Sequence, residues 1–287
     1  MPRSLDRHSV NTATLGYQMP IGETVDAIAR AGFGGIAPWR REVEGGDVDV
    51  IARRIRDAGL RVSGYCRSTY IPGTSRAAWA ANVDDNRRAL RDAARLGAEC
   101  FVLVVGGLPE GSRDMPGARR QVQDGVADLL AEATTLGVPL ALEPLHPMYA
   151  ADRACVNTIR QALDLCTLLD PARTSHLGIA IDVYHTWWDP ELPEAITRAG
   201  REGRILAYHV NDWLVPTGDL LMDRGLPGEG VIDLESIGAL VRDAGYRGLT
   251  EVEVFSHRVW KHPPDRILAD CVASIVQGPP TYLQNVR

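Results

Sequence analysis

Leu177-Gly178-Ile179-Ala180-Ile181-Asp182 is a short apolar run of strand character that ends on a carboxylate. The same design recurs in Pro139-Leu140-Ala141-Leu142-Glu143, in Ile205-Leu206-Ala207-Tyr208-His209, and in Leu249-Thr250-Glu251-Val252-Glu253-Val254. A charge at the end of a buried strand is costly unless something compensates it. Four such ends, 39, 27 and 44 residues apart, predict one shared compensator, for which a divalent metal is the natural candidate.

Outward from these runs, β-like segments alternate with segments of helical period along the whole chain, the pattern of βα units around a parallel sheet. Eight strands are predicted at His8–Leu15, Gly34–Pro38, Arg61–Cys66, Cys100–Val105, Pro139–Glu143, Leu177–Asp182, Ile205–Val210 and Leu249–Phe255. Helices are predicted near Glu23–Ala31, Asp47–Ala58, Ala77–Leu96, Gly117–Leu136, Val156–Leu169, Pro190–Ala199, Leu234–Ala244 and Pro264–Val276. Glycine follows five of them, at Gly32, Gly59, Gly97, Gly137 and Gly245, where a helix ends readily in a left-handed residue. Asp233 suits an N-cap, and Pro190 after Asp189 suits a first helical turn. Eight units without a linker, and without a G-x-G-x-x-G after the first strand, favour one (β/α)8 TIM barrel domain over residues 1–287 rather than a doubly wound sheet.

The chain has 287 residues, 45% of them hydrophobic, enough for a large core. Its formal charge of −6 and the lack of a Lys/Arg block argue against nucleic acid as a partner. No run reaches the length needed to cross a bilayer, and Met1–His8 lacks the apolar segment of a secretory leader, so a soluble cytoplasmic protein is expected. The five cysteines, Cys66, Cys100, Cys155, Cys166 and Cys271, are odd in number and form no C-x-x-C pair, which predicts buried free thiols.

In a barrel of this kind the site lies at the C-terminal strand ends, which turns the separation of Glu143, Asp182 and His209 into convergence. Three carboxylates and one imidazole form an oxygen-rich set that suits Mn²⁺ or Mg²⁺, with Co²⁺ and Zn²⁺ also accommodated. On the last strand Glu251 and Glu253 are two apart and share a face, so either can be the fourth ligand, Glu253 being nearer the strand end.

Together, Leu142-Glu143-Pro144-Leu145, Ile181-Asp182-Val183-Tyr184-His185, Tyr208-His209-Val210-Asn211-Asp212, Asp223-Arg224 with Pro227-Gly228-Glu229-Gly230, and Tyr246-x-Gly248 followed by Glu253 resemble the sugar phosphate isomerase/epimerase family. These are xylose isomerase-like barrels that include ketose 3-epimerases, hydroxypyruvate isomerase and inosose-processing enzymes. The resemblance implies Glu143, Asp182, His209 and Glu253 as ligands of one divalent ion, His185 as a contact to a substrate oxygen, and Arg224 as a clamp for a substrate hydroxyl or phosphate. In one respect the chain departs from the ketose epimerases it resembles. They carry a second glutamate six residues after the first, where this chain has Tyr149. The segment offers His146, Tyr149 and Arg153 instead, either to a different polyol or acidic substituent or to packing. Trp39-Arg40, Cys66-Arg67 and Trp187-Trp188 follow further strands and can line a pocket, while the adjacent tryptophans equally suit a homodimer contact.

The resulting expectation is a metal-dependent isomerase or epimerase of a ketose-like sugar or polyol. The cation would polarise a carbonyl, and Glu143 and Glu253 would remove and return the neighbouring proton through an enediolate. Expulsion of a β-hydroxyl from the same intermediate would make a dehydratase or lyase. A metal nuclease of the endonuclease IV type needs more histidines and a basic groove. A non-catalytic alternative is a sugar- or partner-binding barrel with a structural metal.

Overall fold

The computed structural model describes residues 5–276. Eight strands form one parallel sheet: β1 (His8–Asn11), β2 (Gly35–Ala37), β3 (Arg61–Val62), β4 (Phe101–Leu103), β5 (Leu140–Leu142), β6 (Leu177–Asp182), β7 (Ile205–Val210) and β8 (Thr250–Val252). Their order is β3-β2-β1-β8-β7-β6-β5-β4. Parallel bridges Val62↔Ala98 and Tyr65↔Phe101 join the two outer strands, so the sheet curls back on itself. The longer helices are α1 (Ile21–Arg30), α2 (Val48–Asp57), α3 (Arg76–Leu96), α4 (Met115–Leu136), α5 (Ile159–Leu169), α6 (Leu192–Glu202), α7 (Leu234–Asp243) and α8 (Pro264–Val276), with single turns at Arg40–Val43 and Val183–Thr186. Each strand is thus followed by a helix, as the alternating pattern predicts.

The helix stops follow from backbone chemistry. Gly97 and Gly137 close α3 and α4 with φ of +71° and +69°, a region in which a Cβ is strained. Asp233 caps α7 by accepting from the Ser236 amide. The helix expected at Pro190 instead begins at Leu192, because the Asp189 side chain accepts from the Glu191 amide and makes a separate turn; Pro193 occupies the first helical turn. That helix also runs past Ala199 to a left-handed Gly203.

Several strands are shorter than their apolar runs. The first stops at Asn11, whose side-chain oxygen accepts from Ala13 N and starts a 3-10 turn at Thr12–Leu15. The eighth stops at Val252, although Glu253 N still donates to Val210 O at 3.1 Å and extends the ladder by one bond.

Side-chain alternation explains where the polar ends point. Cys66, Cys100, Val102, Ala141, Ala180 and Ala207 form a small apolar cluster inside the barrel. Glu143, Asp182 and His209 each stand two residues beyond one of its alanines, on the same strand face. Small side chains below therefore leave room for charged ones above. The larger core, including Val10, Ile36, Phe101, Leu140, Ile179 and Val252, fills the layer between sheet and helices.

Loops at the C-terminal strand ends complete the mouth. Asp212–Trp213 pairs antiparallel with Arg224–Gly225, a small ribbon that brings Arg224 over the barrel. Asp212 holds the turn beneath it by accepting from the amides of Gly228 and Ile232 at 2.9 and 3.0 Å. All five cysteines are free and buried, as expected from their number and setting, and burial pushes the Cys155 thiol up to about 11. Among the described residues, no helix is long and apolar enough to cross a membrane.

Candidate metal and substrate site

The four strand-end residues converge. Glu143, Asp182, His209 and Glu253 are all buried, and each offers one donor atom within 4.8 Å of those of the others. His209 Nδ1 lies 2.9 Å from Glu143 Oε1, while its Nε2 has no hydrogen-bond partner. Burial alone would lower the basicity of His209, but Glu251 and Glu143 outweigh it and raise its pKa well above the ordinary value. Burial and the nearby Glu143 raise Glu253, against the pull of Arg224.

Glu251 occupies the deeper position on the same face. Asn11 Nδ2 donates to Glu251 Oε1 at 2.8 Å and to Glu253 Oε1 at 2.9 Å, bridging the two carboxylates. Ser63 donates to the other oxygen of Glu251 at 2.8 Å. Neither Asn11 nor Ser63 was singled out by sequence. Asn11 carried the same signal as the acidic residues, a polar group at the end of a β-like run, without their charge.

Arg224 is buried in the cluster. Its Nη1 donates to Asp182 Oδ2 at 2.9 Å and to Glu253 Oε2 at 3.1 Å, and its plane lies over the rings of Tyr184 and Phe255. Burial would raise the Asp182 carboxyl, but the Arg224 guanidinium above all holds it far below the carboxylate range. Arg224 Nη2 donates to His185 Nε2 at 3.2 Å, so His185 is the neutral Nδ1–H tautomer. Burial keeps it neutral, with its pKa lowered to about 3, and its Nδ1–H has no partner.

A cavity of about 260 Å³ opens above this floor. Its lining includes Glu143, Glu253, His185, Arg224 and Trp39, together with Tyr17, Arg67, Tyr149 and Arg153. His146 is not brought to it. The ring packs between Trp188 and Trp213, and its Nδ1 accepts from the Met148 amide at the start of the Pro147–Tyr149 turn. Trp187 and Trp188, read from sequence as either pocket wall or homodimer contact, are half-buried and outside the cavity lining; Trp188 donates to His185 O, and Trp187 packs on Trp213.

The donor set suits a divalent ion on charge grounds. Glu143, Asp182, Glu251 and Glu253 set four buried acids beside a single guanidinium, Arg224, and His209 serves as a ligand only when neutral. Acids thus outnumber cations in a buried place.

Three comparisons bear on this arrangement. The 3-dehydroshikimate dehydratase of Pseudomonas aeruginosa is 28% identical over 87% of this chain, and this chain spans only 38% of that relative's length. The crystal structure of protein SMc04130 from Sinorhizobium meliloti 1021 superposes with a TM-score of 0.92 at 48% identity, covering 96% of this chain and 99% of that one. A structure of the IOLI protein with a bound zinc atom superposes with a TM-score of 0.80 at 17% identity, covering 96% of this chain and 99% of that one, a likeness of fold alone. Isomerases and epimerases also stand among the relatives. The family model described as xylose isomerase-like TIM barrel matches residues 25–274, and the chain belongs to that family.

Proposed function

We propose that this protein is a divalent-metal-dependent isomerase or epimerase of a small, polyhydroxylated carbonyl compound, Mn²⁺ being the cation that best suits its oxygen-rich donors. Glu143, Asp182, His209 and Glu253 hold the ion in this reading, and the observation that carries it is their four buried donor atoms within 4.8 Å at the cavity floor. The bound ion supplies electrophilic polarisation of a carbonyl oxygen.

The chain's own residues then handle the proton. Glu143 and Glu253 both reach the cavity and flank the site from strand ends β5 and β8. One removes the proton beside the carbonyl, and the other returns one. Delivery to the opposite face of the same carbon gives an epimer, and delivery to the neighbouring carbon gives an isomer. Glu253 is fixed on both oxygens by Asn11 and Arg224, which suits a group that must keep its position while its charge changes. His185 presents its unpartnered Nδ1–H to a substrate hydroxyl or carbonyl, and Arg224 bonds to its other nitrogen to fix that tautomer. Trp39 offers an indole face to the substrate from the wall.

Dehydration is the second reading, favoured by the similarity to a dehydratase across 87% of the chain. It shares the proton removal and differs in the loss of a β-hydroxyl afterwards.

The test is solvent-deuterium exchange into ketoses, inososes and keto acids in the presence of Mn²⁺, followed by NMR. E143Q and E253Q should each lower exchange by about 10²- to 10⁴-fold while the fold persists. A chelator should abolish exchange and Mn²⁺ restore it. Undiminished exchange in both variants would remove the two glutamates from the reaction.

A further inference from the structure

The cavity divides by charge. Its carboxylates, Glu143 and Glu253, lie at the floor, where Arg224 is already bonded to Glu253, whereas Arg41, Arg67 and Arg153 line its wall and rim. Many arginines elsewhere in the molecule are paired with acids, as in Arg54–Asp26, Arg95–Asp49 and Arg198–Asp164, while others, such as Arg53, Arg56 and Arg201, stand exposed on the surface outside any cavity of this kind. Among the described residues, Arg41 and Arg67 have no carboxylate within 4.0 Å. The acid nearest Arg153 is the exposed Asp152, 3.6 Å from Nε and outside hydrogen-bond geometry, and that Nε is buried without a partner.

What holds these guanidinium groups is aromatic stacking. Arg67 lies 4.8 Å from the Tyr70 ring centre and 6.0 Å from that of Trp39, and Arg153 lies 5.3 Å from Tyr149. A stacked guanidinium is fixed in orientation yet keeps its edge N–H groups available, the arrangement suited to a planar anion.

The two stacks are neighbours. Ile71 donates to Val105 O, so the loop carrying Arg67 and Tyr70 runs beside the end of β4. On the other side Cys155 donates to Gly106 O and Leu108 to Ala151 O, which seats the loop carrying Tyr149 and Arg153. Gly106, with φ of +95°, permits this approach, since a Cβ there would stand 2.7 Å from the Tyr70 Cβ. Val104 lines the cavity between them.

The geometry points to a substrate that carries an anionic group, a carboxylate or phosphate, bound by Arg67 and Arg153 at the wall while its hydroxylated carbonyl end faces the acidic floor. This rests on the proposed function for the identity of the floor. Arg41, over the Tyr17 ring at 4.3 Å, stands at the rim and adds to the field that draws the anion in. A neutral ketose would leave both wall guanidinium groups unused.

The test is calorimetric binding of three probes that share a polyol keto scaffold: neutral D-fructose, the carboxylate 2-keto-D-gluconate, and D-fructose 6-phosphate. At least one anion should bind about tenfold tighter than fructose, and R67Q and R153Q should each remove most of that preference, read as the ratio of anion to fructose affinity within each variant. Preference for one anion over the other identifies the group. Anions binding no tighter than fructose, absent binding of all three included, would overturn the inference, as would full retention of the preference in both variants. Because binding is read without turnover, the anion preference stands or falls separately from the exchange result for E143Q and E253Q.

Discussion

At the scale of single residues, the cluster at the barrel mouth is a balance of buried charges held by a few neutral donors. Asn11 is the clearest of these, because one side-chain nitrogen serves both Glu251 and Glu253. Removing it leaves two adjacent carboxylates each short of a partner, and an unsatisfied buried group costs about 1–3 kcal/mol. N11A is therefore expected to lose about 2 kcal/mol in urea unfolding of the metal-free protein, and a loss below about 0.5 kcal/mol would contradict the bridge. The charged members of the cluster were legible in the sequence because an acid or imidazole at the end of an apolar run is conspicuous. Asn11 and Ser63 were not, because amide and hydroxyl groups at strand ends are common and only their neighbours give them meaning. The pair Glu251 and Glu253 was ambiguous for the same reason. Period two places both on one face, the family resemblance points to Glu253, and the three-dimensional neighbours differ: Asn11 and Ser63 hold the deeper one, while Glu253 opens to the cavity.

At the scale of elements, loops at the strand ends carry much of the site, so the contacts that fix those loops matter for the reaction. Asp85 on α3 accepts from Arg40 at 3.0 Å, from the Thr69 hydroxyl, and from Arg88 at 2.6 Å. It thus ties the helix to the turn after β2 and to the loop after β3. Burial would raise its pKa, but these donors outweigh burial and bring it down to about 2. A carboxyl depressed on folding stabilises the fold above its unfolded pKa of about 4, and the contribution disappears as pH falls from about 4 towards 2. With allowance for solvent screening, D85N should cost about 1 kcal/mol at pH 7, measured by urea unfolding, and the difference from the parent should shrink at pH 2–3. A difference that stays constant with pH would count against the assignment. Helix and strand positions were readable from period and glycine stops, and β6, β7 and α8 match their predicted limits. The misplaced limits have local causes: Asn11 caps a turn and ends β1 early, and Asp189 makes a turn of its own before α6. Side-chain capping of this kind competes with the ladder or helix, and an apolar pattern does not record it. Arg224 was implied by the family resemblance, but its insertion between Asp182 and Glu253 follows from a two-residue ribbon too short to be seen as a strand.

At the scale of the whole molecule, the barrel converts four distant sequence positions into one cavity floor by closing a sheet whose inner face is lined with small residues just below the charges. This explains why the fold was legible as a whole even where element ends were not: eight repeats of the same unit leave few other ways to bury the apolar runs. The reading of function depends on whether that floor holds a cation. A crystal of the protein soaked in Mn²⁺, with anomalous scattering recorded for manganese, measures this directly. The account predicts one strong peak bounded by Glu143, Asp182, His209 and Glu253, with the Arg224 guanidinium withdrawn from at least one of its two carboxylates. Its contradiction would be an empty centre with Arg224 still bridging Asp182 and Glu253, or a manganese peak located elsewhere.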